Sequence, residues 1–187
     1  MAFNSVKIFL RLLLANTMYV EACGRNPVLE TPLSAANSIM EFLIQSWGGK
    51  IRVFPAVPDD WKDASFYQLR AQGGFLVSAS RSQGKTEWIS VKSLSGEPCV
   101  VKVPDWKTAV QTGKGMKTAI NKISEGEFRI DLKAGEEIVL SSEVKNVETI
   151  VNEVSHINGE INLYGVKNGK QLTRDQSWPL PEYKSCN

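Results

Sequence analysis

The sequence predicts a mostly β protein, an antiparallel β-sandwich preceded by two helices. Three observations carry this. Short β-type segments recur from about residue 50 onward, punctuated by Gly and Pro. A helix start signal, Thr31-Pro32, precedes an apolar face at helical spacing. The opening residues form a nearly continuous apolar run.

The elements follow in order. From Val6 to Leu14 only Lys7 and Arg11 are polar, and their four-residue spacing puts both on one face of a helix that is otherwise apolar. A secretory signal is the competing reading of this segment. Arg11 interrupts the apolar stretch, and Glu21 stands where cleavage sites want small neutral side chains, so no signal peptide is recognised. No run reaches the ~18 apolar residues of a membrane span. In the second helix Thr31 is the N-cap and Pro32 the first helical residue, where its missing N–H does no harm. Leu33, Ala36, Met40, Leu43, Ile44 and Trp47 share one face, and Gly48-Gly49 stops the helix. The strands then read as IRVF, GGFLVSAS, TEWISVKSL, PCVVKV, EFRIDL and EEIVLSS. Segments this short, about 8–12 residues apart, favour two packed sheets over a parallel α/β sheet. Residues 143–187 are polar and turn-rich, a tail with one hairpin.

Composition narrows the chemistry. The 187 residues are 42% hydrophobic and 22% charged, values of an ordinary globular chain. Lys and Arg exceed Asp and Glu by 22 to 20, too small a margin to hold nucleic acid or an anionic membrane. The single His156 supplies neither a multi-His metal site nor, in its turn-rich setting, a convincing catalyst. Cys23, Cys99 and Cys186 have no CxxC spacing and read as reduced thiols, with one disulfide as the alternative. Asp59, Asp60 and Asp63 form an acidic turn without the spacing of a calcium loop. The Gly-rich GKGMK of residues 113–117 lacks the P-loop pattern and reads as a solvated loop. No cofactor and no metal site is expected.

One segment carries more. Leu43 to Ser46, Ile51 to Pro58, Trp61, and Leu69 to Phe75 make up a helix end, an IRVFPAVP block, a Trp and an LRAQGGF block. This succession resembles the C-terminal part of glycoside hydrolase family 95, the inverting α-L-fucosidases and related α-L-galactosidases. The resemblance covers residues 26–142. It implies that residues 1–49 are a remnant of the family's catalytic (α/α)6 barrel, made of its last helices. Residues 50–142 are then the C-terminal β-sandwich. The apolar opening helix is explained as one whose barrel neighbours are not in this sequence.

The resemblance also nominates a site residue. Counting back from Gln45-Ser46, the general-base Asp of the family's Asp-Gly-Asn-Phe-Gly motif falls on Glu30, and the residues after it fall on Thr31, Pro32, Leu33 and Ser34. Every residue departs from the motif, yet a carboxylate is retained, one methylene longer. It stands at a helix N-terminus, where the dipole favours negative charge. The plain reading is an acidic residue stabilising a helix start. Glu41 reads as a solvated or hairpin-packing helix side chain and Glu21 as surface charge. Trp47 and Trp61 are read as packing the helices onto the sandwich and Trp88 as filling a sheet face. Sugar stacking is the alternative for Trp61, Tyr67, Trp88, Trp106 and Trp178.

Two functions follow. The first is the C-terminal fragment of an α-L-fucosidase-like hydrolase, inactive alone because the family's general acid lies in the barrel segment that is missing here. The second is a non-catalytic sandwich that binds fucosylated or related glycans or scaffolds a catalytic partner. Family members commonly act outside the cytoplasm; the localisation of this chain stays unknown.

Overall fold

A computed structural model of the chain describes residues 19–20, 27–28, 30–112, 118–144 and 147. The expected helix over residues 6–14, with Glu21, Cys23, residues 113–117, His156, Trp178, Cys186 and nearly all of the tail, lies outside the described residues. The chain divides into two compact units, residues 1–39 with 154–187, and residues 40–153.

In the first unit, β1 (Tyr19–Val20) and β2 (Pro27–Val28) pair antiparallel. Here too begins α1 (Glu30–Leu43), the one helix among the described residues. It starts at Glu30, just ahead of the expected N-cap Thr31, and holds Pro32 in its first turn, where no intrahelical N–H is needed. Its apolar stripe is not uniformly covered: Leu33 is 69% and Met40 44% exposed, and Ala36 is exposed, while Ala35 and Phe42 are buried.

The second unit is a two-sheet sandwich. Its strands are β3 (Ile44–Trp47), β4 (Lys50–Val53), β5 (Ala64–Ala71), β6 (Phe75–Ser82), β7 (Lys85–Ser93), β8 (Pro98–Lys102), β9 (Val110–Thr112), β10 (Ile120–Ser124), β11 (Glu127–Asp131) and β12 (Glu137–Ser141). One sheet runs β10-β11-β8-β4-β3 and the other β5-β6-β7-β12-β9. The mostly β, two-sheet class is the one the sequence predicts.

Three details differ from expectation. Residues 44–47 are a strand and not the end of the helix, because Gly48 (φ 63°) and Gly49 (φ 70°) form a hairpin turn that pairs Trp47 with Lys50 and Ile44 with Val53. Positive φ at both central residues is the two-residue hairpin signature, at no steric cost to glycine. Ile44 is therefore buried in the sandwich while Trp47, expected at a packed junction, is 58% exposed. Second, β5 escapes alternation because a bulge shifts its register between Phe66 and Leu69. At the bulge Gln68 takes φ 51° and its N–H donates to Ser78 Oγ at 2.9 Å, which lets Phe66 and Leu69 both turn toward the core. Third, the sandwich is not wholly antiparallel: β4 lies parallel to β8.

The core lies between the sheets. Val53, Val77, Ile89, Val91, Val101 and Ile130 are fully enclosed, each contributing on the order of 1.5–3 kcal/mol by leaving water. Phe54 and Phe66 meet edge to face with centroids 5.4 Å apart. Phe54 holds a left-handed φ of 51°, a strain its neighbours must offset. Its N–H donates to Leu43 O at 2.8 Å, so the end of α1 and the end of β4 are tied directly. Trp106, also enclosed, donates its indole N–H to Thr86 O at 2.9 Å, while the Asp105 carboxylate accepts from the Thr86 N–H (2.6 Å) and hydroxyl (2.8 Å).

Gly126, at φ 70° in the β10–β11 turn, sits where an added Cβ would lie 2.7 Å from the Val103 carbonyl oxygen. Gly48 has a similar φ but nothing within 4 Å. Gly126→Ala is expected to destabilise by about 2–4 kcal/mol and Gly48→Ala by about 1 kcal/mol. Urea unfolding midpoints check this; equal losses would contradict it.

Candidate functional site

The expected site residue comes first. Glu30 is the opening residue of α1 and is exposed. Glu41 lies eleven positions further along the same helix, about 16 Å at 1.5 Å per residue. It too is exposed, and its backbone carbonyl accepts from Gln45 Nε2 at 3.1 Å. The two carboxylates are thus not brought together.

The acidic turn is structural. Asp63 Oδ1 accepts from the Gln83 N–H and from Ser82 Oγ, each at 2.9 Å, pinning the β6–β7 hairpin. The Gln83 amide, then the Ser82 hydroxyl, hold its carboxyl below the usual range. Among the described residues no three His, Cys, Asp or Glu side chains gather as a metal site needs.

The aromatic residues separate by burial. Trp88 and Trp106 are enclosed and have no face to offer a sugar. Trp61 meets Phe42 edge to face at 6.3 Å, the last turn of α1 against the loop after β4. Trp47 stands on the exposed side of β3, held rather than free: Arg52 lies 3.7 Å over its ring, and its indole N–H donates to Gln45 Oε1 at 3.3 Å. Arg52 in turn donates to Trp47 O at 2.8 Å. Tyr67 is exposed at the β5 bulge and its hydroxyl accepts from Gln68 Nε2.

Two features that the sequence does not announce lie at the first hairpin. Glu127, nearly buried on β11, accepts from Lys50 Nζ at 2.8 Å and Lys102 Nζ at 3.1 Å. One carboxylate thus joins β4, β8 and β11 across the sheet. The ammonium of Lys50 first, then that of Lys102, hold its carboxyl down to about 2. Beside this clamp is a cleft of about 220 Å3, bounded by Ser46, Gly49, Lys50, Gln72 and Pro98. Cys99 lies at its base, a buried free thiol that burial pushes up to about 12, so it stays protonated and unreactive.

The segment from β3 to β12, with this hairpin, clamp and cleft, is what a known family describes. A profile for "Glycoside hydrolase family 95, C-terminal domain" matches residues 45–140. The chain belongs to glycoside hydrolase family 95. The match begins at the second residue of β3 and ends in β12, so the family 95 domain coincides with the two sheets and α1 stands in front of it. No curated protein matches the chain.

Because Glu127 has a folded value near 2 against an ordinary 4.5, its ionised form stabilises the fold fully above about pH 4.5. That contribution fades as pH falls toward 2. Glu127→Gln is expected to lower the melting temperature at pH 7 and to flatten its decline between pH 4.5 and 2. Parallel Tm-against-pH curves for the two proteins would contradict the assignment.

Proposed function

We propose that the chain is the C-terminal part of an α-L-fucosidase-like, inverting family 95 glycosidase, with Glu30 as general base once the rest of the barrel is supplied. The observation that carries the reading is the family match over residues 45–140, directly behind a helix that presents a carboxylate at its first position.

Inversion needs two carboxyl groups on opposite sides of the glycosidic bond, ~6.5–9.5 Å apart. One takes a proton from the attacking water as the other protonates the leaving oxygen. Glu30 and Glu41, about 16 Å apart along α1, do not make such a pair, so the helix offers one partner at most. In the resemblance the general acid belongs to earlier barrel segments that match nothing in this sequence. The exposed Leu33 and Met40 of α1 are consistent with a helix made to pack among other helices. The last turn of α1 is tied to the sandwich by the bond from the Phe54 N–H to the Leu43 carbonyl and by the Phe42 to Trp61 contact.

The purified 187-residue chain is expected to show no turnover of an aryl α-L-fucoside; turnover abolished by Glu30→Ala would overturn the one-carboxylate account. Fused behind a family 95 barrel segment it is expected to become active. In that fusion Glu30→Gln should lower kcat by about 10²–10⁴-fold. An unchanged kcat would dismiss Glu30 as the base.

A further inference from the structure

The sheet β10-β11-β8-β4-β3 has one face on the core and one turned outward. On β4, Lys50 and Arg52 alternate with the enclosed Ile51 and Val53, and on β8 Lys102 follows the enclosed Val101, so these three cations share the outer face. Arg52 stands directly beside Lys102 across the parallel ladder. On β11 the same face carries Glu127, Arg129 and Asp131, the last two paired with each other at 3.1 Å. Strands β3, β4 and β8 contain no carboxylate at all. Trp47, which closes β3 opposite Lys50, is exposed next to these cations.

From this uneven charge we propose that the β3-β4-β8 part of the face docks a short acidic peptide segment of a partner protein. Glu127 answers Lys50 and Lys102 together, at 2.8 and 3.1 Å, so one carboxylate serves two ammoniums. Arg52 meets no carboxylate among the described residues: its Nη1 donates to the Trp47 carbonyl at 2.8 Å, and its guanidinium lies 3.7 Å over the indole. Two positive charges are thus left over on this patch, as large an excess as that of the whole chain. The cations are also in place before a partner arrives. Glu127 is nearly buried beneath both ammoniums, each of which keeps donors for a second oxygen, and Arg52 is held by ring and carbonyl. Side chains already ordered lose little entropy on binding. Trp and Arg, side by side here, are the residue types that dominate protein interfaces. The extent of the patch selects the occupant. From β3 to β8 is two strand spacings, about 10 Å, the length of about three extended residues. A nucleic acid or an anionic membrane calls for a longer array of cations. A short run of Asp or Glu beside one apolar side chain complements the lysines, Arg52 and Trp47.

The test is fluorescence anisotropy of the full 187-residue chain with a labelled peptide, Glu-Glu-Leu-Glu-Glu, beside its Gln-Gln-Leu-Gln-Gln analogue and labelled dextran sulfate. The acidic peptide is expected to saturate at a Kd of about 10–100 µM at low salt. Binding should weaken at least about fivefold at about 0.15 M salt, where screening sets in beyond about 8 Å, and the Gln analogue should not saturate. Arg52→Gln should weaken binding about tenfold, and Trp47→Ala about fivefold. Both side chains lie on the solvent side of the sheet, and Trp47→Ala leaves every cation in place should Arg52→Gln disturb the hairpin. Lys85→Gln, at the exposed start of β7 in the other sheet, makes the same change in net charge and should bind as the parent does. The docking face is overturned if the acidic peptide does not saturate, if the Gln analogue binds as tightly, or if Lys85→Gln loses as much as Arg52→Gln. It is equally overturned if Arg52→Gln and Trp47→Ala both bind like the parent. Tighter binding of dextran sulfate, charge for charge, would make the face a polyanion surface and remove the peptide as its occupant.

Discussion

The attachment of one hairpin to the rest of a sheet governs this structure. Strands β3 and β4 follow α1 directly and enter the sandwich through just two parallel pairings on β8. So short a ladder is weak by itself, and parallel pairing is slightly the poorer kind. Burial supplies what hydrogen bonds do not: Ile44, Ile51, Val53 and Phe54 all turn into the core, at about 1.5–3 kcal/mol each. The Glu127 clamp adds direction more than strength, since Lys50 and Lys102 are both partly in water. It holds β4 in register beside β8 at the point where the ladder begins.

That constraint reaches outward in two directions. Toward the helix, the left-handed backbone at Phe54 places its N–H on the Leu43 carbonyl and its ring on Phe66, so the exit of α1 is set by core packing. Toward the turn end, the limited pairing opens the cleft between Lys50 and Pro98. The same geometry that fixes the helix exit therefore makes the concavity.

The sequence and the structure part company at definite residues. The apolar set Leu33, Ala36, Met40, Leu43, Ile44 and Trp47 satisfies helical spacing, yet Ile44-Gln45-Ser46-Trp47 equally satisfies strand alternation. Short segments of this kind are decided by partners, and β4 is the partner. Strand β5 was hidden by its bulge, since two residues between Phe66 and Leu69 break the period of two. β9 and β10 were missed because their side chains are mostly exposed or half-buried and leave little apolar pattern. Glu127, one acidic residue in a strand expected from the start, bore no sign of its two lysines, which lie 77 and 25 positions away.

By itself the sequence determined the class and the kinship of this protein. Gly and Pro punctuation with β-branched runs specifies many short strands, and the RVFPAVP to LRAQGGF succession specifies the family, because both are written in contiguous residues. Only the tertiary structure decided where the helix ends, that β4 runs parallel to β8, which tryptophans are enclosed, and that Lys50, Glu127 and Lys102 share one point. Those outcomes depend on which distant segments meet, and the free energy that selects among them arises from burial after the sheets close, which no local pattern encodes.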